Sequence, residues 1–97
     1  IKNEPPTIYA DTAVVNNSLI ANGCKIEGTV ENSILFRGVK IGKNAVVKNS
    51  IVMQKAEVKE KAILEYVIFD KDSTISEEKR LIGAAVYPLV IGKGTTL

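Results

Sequence analysis

Short apolar runs alternate with short polar runs along this chain, and the runs recur. The phrases VNNSLI, VENSIL and VKNSIV begin at Val15, Val30 and Val47. From Ile41 the sequence reads IGKNAV, VKNSIV, MQKAE, then restarts at Val58 as VKEKAI, LEYVIF, DKDST: six, six and five residues, twice. Tyr9 opens the same pattern in YADTAV, VNNSLI, ANGCK. Ile26 opens IEGT, VENSIL, FRGVK, whose first side has lost two residues. Self-similarity at a fixed period is the signature of a repeat architecture. The pattern predicts four coils, residues 9–25, 26–40, 41–57 and 58–74. A linker from an upstream domain is expected over 1–8, and a partial fifth coil with a capping tail over 75–97.

Stacking the coils produces columns. One holds Tyr9, Ile26, Ile41, Val58 and Ile75, and a second Val15, Val30, Val47 and Leu64. A third holds Ala21, Phe36, Met53 and Asp70, which puts Phe36 and Met53 in the core. Two positions ahead of the first column stand Thr7, Cys24, Val39, Ala56 and Ser73; ahead of the second stand Ala13, Gly28, Ala45 and Ala62. Leu19, Ile34, Ile51 and Ile68 also align. The physical object with these properties is an all-β triangular prism. Each side is a short strand, and successive coils stack about 4.8 Å apart as parallel strands. Each coil buries its apolar edge only against its neighbours. An antiparallel sandwich would need hairpin turns every ~8–12 residues and predicts no columns.

Tight corners call for residues that tolerate positive φ, which accounts for Asn22-Gly23, Glu27-Gly28, Arg37-Gly38 and Asn44. Asn17, Asn32 and Asn49 are expected to form a side-chain hydrogen-bond ladder. After Thr74 the pattern loosens. The charged run ISEEKR and a turn at Tyr87-Pro88 are expected to leave the helix before the tail returns to cover the last coil. An uncovered end would be an open sheet edge.

Composition narrows the chemistry. Thirteen basic and eleven acidic residues give a formal charge of +2, with both signs interspersed, which argues against a nucleic-acid partner. No apolar run approaches the ~20 residues of a membrane-spanning helix. One cysteine excludes an internal disulfide, and a cytoplasmic setting fits that usage. The chain contains no histidine, so imidazole-based general-base or zinc chemistry has no residue to run on here. Cys24 falls in the interior column and reads as structural. Asp70 and Asp72 could pair on a metal but stand where a corner is expected. Lys71, Lys79, Arg80 and Lys93 could bind an anionic effector or line an interface; solvated surface is the simpler reading. A Tyr at position 87 could anchor an interface. No catalytic, cofactor-binding or metal-ligating residue is assigned.

Two resemblances add to this. Ile41-Gly42-Lys43-Asn44-Ala45 resembles the hexapeptide repeat of left-handed parallel β-helices; the hand rests on that likeness, since left-handed crossovers are rare in general. The segments NSLIANGCKIEGTVENSILFRGVKIG, AVVKNSIVMQ, VIFDKD and RLIGAAVYPLVIGKGT resemble the C-terminal domain of bacterial glucose-1-phosphate adenylyltransferases (ADP-glucose pyrophosphorylases). Within that family the likeness is greatest to the GlgD-type glycogen biosynthesis subunit, and it covers residues 5–97. The resemblance implies a parent protein that makes ADP-glucose from ATP and glucose 1-phosphate with Mg²⁺, or regulates a partner that does. ATP and Mg²⁺ are then expected on an N-terminal nucleotidyltransferase-like domain. This domain would be non-catalytic by itself, mediating subunit contacts and allosteric control. Its implied partners are its own N-terminal domain and a homologous catalytic subunit. The alternatives are a hexapeptide acyltransferase-like domain, or the C-terminal domain of a nucleotidyltransferase for another sugar phosphate.

Overall fold

The computed structural model describes residues 6–97, so most of the expected linker lies outside the described residues. Among the described residues every regular element is a strand of two or three residues. The first coil holds β1 (Ile8–Tyr9), β2 (Val14–Asn16) and β3 (Leu19–Ile20); the second holds β4 (Lys25–Ile26), β5 (Thr29–Glu31) and β6 (Ile34–Leu35). The third holds β7 (Lys40–Ile41), β8 (Val46–Lys48) and β9 (Ile51–Val52); the fourth holds β10 (Glu57–Val58), β11 (Ile63–Glu65) and β12 (Val67–Phe69). A fifth is complete, with β13 (Thr74–Ile75), β14 (Arg80–Ile82) and β15 (Leu89–Ile91). Every third strand pairs in parallel, giving three five-stranded sheets, β1-β4-β7-β10-β13, β2-β5-β8-β11-β14 and β3-β6-β9-β12-β15. These are the three faces of a parallel β-helix, called here faces one, two and three.

The core is a single file of aliphatic layers. Ile26, Ile41, Val58 and Ile75 point inward from face one, and Val30, Val47 and Leu64 from face two, all fully buried. Cys24, Val39, Ala56, Ala45 and Ala62 fill the gaps beside them. These are the columns the periodicity predicts, less fully buried at the end of the stack. Tyr9 is 53% exposed, because among the described residues the first coil has a neighbour on one side only.

The third column differs from expectation by one residue. Leu35, Val52 and Phe69 point inward from face three, with Ile20 and Ile91 packed against them from the end coils. Phe36 is 37% exposed and Met53 only partly buried. The corner between faces two and three explains the shift. A single left-handed residue turns it in each of four coils: Asn17, Asn32, Asn49 and Tyr66, at φ 47–55°. A corner so tight leaves five steps between inward residues where six were counted. In a strand one step exchanges inside for outside.

Serine then takes the gap-filling place on face three. The Ser33 hydroxyl donates to Glu31 O at 2.7 Å and accepts the Ser50 N–H at 3.2 Å. The Ser50 hydroxyl donates to Lys48 O at 2.8 Å and accepts the Val67 N–H at 3.2 Å. Ser18 does the same one coil below, toward Asn16 O and the Ser33 N–H. This buried ladder satisfies polar groups that the corner would otherwise strand. The asparagine ladder is formed at one rung, where Asn17 Nδ2 donates to Asn32 Oδ1 at 2.6 Å.

Two other corners carry their own left-handed columns. Gly23, Gly38, Lys55 and Asp72 turn from face three to face one, and Asn44, Lys61 and Glu78 from face one to face two. Gly28 has another purpose. Its coil lacks two corner residues, so the next coil's corner settles directly on it. A Cβ at Gly28 would lie 2.4 Å from Ala45 O and 2.7 Å from Gly42 O.

The charged run after Ile75 stays in the helix, against expectation. Ser76–Lys79 takes the same corner as Gly42–Ala45, with Glu78 in the exposed column of Asn44 and Lys61. Charge costs little at a solvated corner, and Leu81 then points inward from β14. Among the described residues only the segment between β14 and β15 swings out, closed by an Ala84 N–H to Tyr87 O bond of 3.2 Å. Beyond β15 the chain bridges back to face one through Thr96 and Thr74.

Candidate interaction surface

With the core accounted for, function has to be sought on the outward positions. Face one presents Ile8, Lys25, Lys40, Glu57 and Thr74 in register. Beside it lies an open depression of about 400 Å³. Four lysines and four glutamates, Lys40 and Glu57 at its centre, are among the side chains that line it, so its charges balance. Lys25 and Glu27 stand 3.8 Å apart there, as do Lys48 and Glu31 on face two, both as exposed pairs. Such pairs contribute at most ~1 kcal/mol.

Face three is the opposite case. Its outward column is Leu19, Ile34, Ile51, Ile68 and Val90, apolar through all five coils. Leu19 is 70% exposed and Val90 67%. A shallow apolar hollow of about 330 Å³ lies over Leu19, Ile34, Phe36 and the stem of Arg37. The aligned leucine and isoleucines were visible in the sequence. Their outward direction was not, because the third column was counted one residue late.

The residues weighed for chemistry do not converge. Cys24 is buried, its thiol donates to Phe36 O at 3.1 Å, and its N–H meets the Thr7 hydroxyl at 3.3 Å. Burial pushes the thiol above its ordinary pKa, partly offset by hydrogen bonds from the Val39 backbone, the Thr7 hydroxyl and the Gly38 backbone. A buried thiol held in its protonated form is a poor nucleophile. Asp70 Oδ1 accepts the Lys71 N–H at 2.7 Å, and Asp72 sits at φ 58°, so both shape a corner. Among the described residues no three metal-ligating side chains come together. Lys71 and Lys93 lie on the corner between faces three and one, whereas Lys79 ends the corner leading into face two and Arg80 opens β14, so the four basic residues form no single cluster. Tyr87 is 80% exposed at the tip of the loop.

The profile of the family described as "GlmU-like, C-terminal hexapeptide" matches residues 7–86, which takes in most of the stacked coils. The chain belongs to this hexapeptide family. Among individual hexapeptide relatives, the glycogen biosynthesis protein GlgD of Bacillus subtilis (strain 168) is 51% identical over 94 residues, 97% of this chain and 27% of the relative. GlgD of Geobacillus stearothermophilus is 68% identical over 47 residues, 48% of this chain and 14% of the relative. The glucose-1-phosphate adenylyltransferase of Bacillus thuringiensis (strain Al Hakam) is 39% identical over 75 residues, 77% of this chain and 20% of the relative. This hexapeptide chain therefore spans about a quarter of the length of the curated relatives it matches.

Proposed function

We propose that this chain is the non-catalytic β-helix module of a GlgD-type protein of glycogen biosynthesis. Its parent either makes ADP-glucose from ATP and glucose 1-phosphate or regulates a homologous subunit that does. The 51% identity to GlgD across 97% of the chain carries the reading. The module's own chemistry supports it. Its one cysteine is buried, Asp70 and Asp72 shape a corner, and its sequence contains no histidine. What it offers a neighbour is surface: a charged face and an apolar face. On this reading Mg²⁺ and ATP belong to a nucleotidyltransferase-like region elsewhere in the parent, the setting is cytoplasmic, and the module contributes contacts with its own parent and a catalytic subunit.

The test is to determine the reading frame upstream of Ile1 and assay the protein it encodes. ADP-glucose formation is measured for the 97-residue chain, for the parent, and for the parent mixed with a catalytic adenylyltransferase subunit. The chain alone is expected to be inactive, and the parent to be active or to change its partner's rate. An upstream region without nucleotidyltransferase character overturns the reading.

A further inference from the structure

Seven asparagines punctuate the chain, and one of them, Asn22, is followed by glycine. An asparagine loses its amide when the backbone nitrogen of the next residue attacks its Cγ. Glycine favours that attack, because it sets no side chain beside the nitrogen and leaves the backbone free to turn. A nitrogen whose N–H is already engaged in a hydrogen bond is held away from Cγ, and the fold engages several of them. The Ser33 N–H after Asn32 donates to Ser18 Oγ at 3.1 Å, and the Ser50 N–H after Asn49 to Ser33 Oγ at 3.2 Å. The Ala45 N–H after Asn44 donates to Gly42 O at 3.1 Å. The Asn17 amide itself is tied to Asn32 Oδ1 at 2.6 Å. Asn22, by contrast, is exposed, and with Gly23 at φ 78° it turns the corner from face three to face one. Its corner belongs to the first coil, which among the described residues has a neighbour on one side only. End layers of a solenoid open at the least cost. The rung that ties this corner to the second coil, Gly38 N–H to Asn22 O, is 3.3 Å, against 3.0 Å for Lys55 N–H to Arg37 O and 3.1 Å for Asp72 N–H to Gln54 O above it.

We propose that Asn22 is a site of spontaneous deamidation in the folded protein, and that the change loosens the first coil from the second. The Gly23 nitrogen loses its proton to solvent and bonds to Asn22 Cγ. The Cγ–Nδ2 bond breaks, and the amide nitrogen takes up solvent protons and leaves as ammonia. Water then opens the cyclic imide. Cleavage of the new bond to Cγ leaves aspartate. Cleavage of the bond to the main-chain carbonyl carbon leaves isoaspartate, with one more carbon in the main chain. Either route consumes one water and releases one ammonia, with nothing oxidised or reduced. The two products differ in what they do to the stack. Isoaspartate takes the old Asn22 carbonyl out of the main chain and into a carboxylate, so the Gly38 N–H loses its rung. Aspartate keeps that rung, and sets its new charge one coil, about 4.8 Å, below the place that Arg37 holds on the same corner.

Peptide mapping by mass spectrometry tests the proposal on the 97-residue chain, incubated at mildly alkaline pH both folded and unfolded in urea. In the folded chain Asn22 is expected to become isoaspartate and aspartate while Asn17, Asn32 and Asn49 keep their amides. Unfolding is expected to bring those three into reaction as well. Asn22→Gln is expected to lose the modification over the same incubation, because the longer side chain must close a larger ring. A folded chain whose Asn22 stays intact over a period that converts it in urea overturns the proposal. So does a folded chain in which Asn32 or Asn49 reacts before Asn22. The isoaspartate form, separated by ion exchange, is expected to exchange its Gly38 N–H with solvent faster than the Asn22→Asp variant does, and equal exchange in the two overturns the loosening of the first coil.

Discussion

Val15 and Val47 are the same residue in the same column, two coils apart, yet Val47 is fully buried and Val15 only half so. Tyr9 and Ile41 repeat the contrast on face one, 53% exposed against 1%. The first coil and the third obey one sequence rule and differ only in having one neighbour or two. In a solenoid a side chain's burial is therefore set by the layers on either side of it. Stability is correspondingly a sum of layer-to-layer terms, with the weakest terms at the ends.

Burying a charge breaks this comparison most forcefully. Val47→Asp places an unpaired carboxylate inside a one-residue-wide core and is expected to unfold the domain, seen as loss of a cooperative melt by circular dichroism. Val15→Asp is expected to lower the melting temperature while leaving a folded protein. Gly28→Ala comes next, at about 3 kcal/mol by urea titration, because its Cβ meets the backbone of Ala45 rather than a movable side chain. Ser33→Ala strips the Ser50 N–H of its acceptor in the buried ladder, an expected loss of about 2 kcal/mol. The same change at the half-buried Ser18 should cost less, which sharpens the end-versus-middle contrast.

Cys24→Ala is the mildest, at about 1 kcal/mol. It also removes a pH dependence. The buried thiol keeps its proton to higher pH than the unfolded chain does. Its stabilisation is complete below the unfolded pKa and is lost as pH rises through the folded one. Stability of wild type relative to Cys24→Ala should therefore fall under alkaline conditions and be flat at neutral pH, in paired urea titrations.

Much of this architecture was legible because it repeats. The spacing of Ile26, Ile41, Val58 and Ile75 fixes face one, and that of Val30, Val47 and Leu64 fixes face two. Face three was misread because its corner turns on one asparagine, and residue counting treats a one-residue and a two-residue corner alike. Two signals were present. Asp70 sat in a column meant to be buried, and Ser33 and Ser50 stood two places before Leu35 and Val52, where the other faces keep their gap-filling residues. Correct counting would have turned Phe36 outward and revealed the apolar column beside it. The left-handed Lys55, Lys61 and Glu78 could not be found by residue type, because stacking rather than intrinsic preference holds them there. The charged run at Ser76–Arg80 was misjudged for a related reason: charge marks a solvated corner as well as it marks a loop.

The excursion between β14 and β15 hangs from two fixed points, Gly83 N–H to Glu65 O at 2.8 Å and Leu89 N–H to Tyr66 O at 3.0 Å. Both belong to the ladders, so the register on either side is indifferent to what lies between them. Lengthening a flexible loop there costs only ~0.6 kcal/mol for each doubling. The molecule thus carries a ready attachment port at that corner. A dye, an affinity peptide or a small folded domain could be spliced in at Val86 and Tyr87, and the β-helix would carry the cargo as a mast carries a lamp.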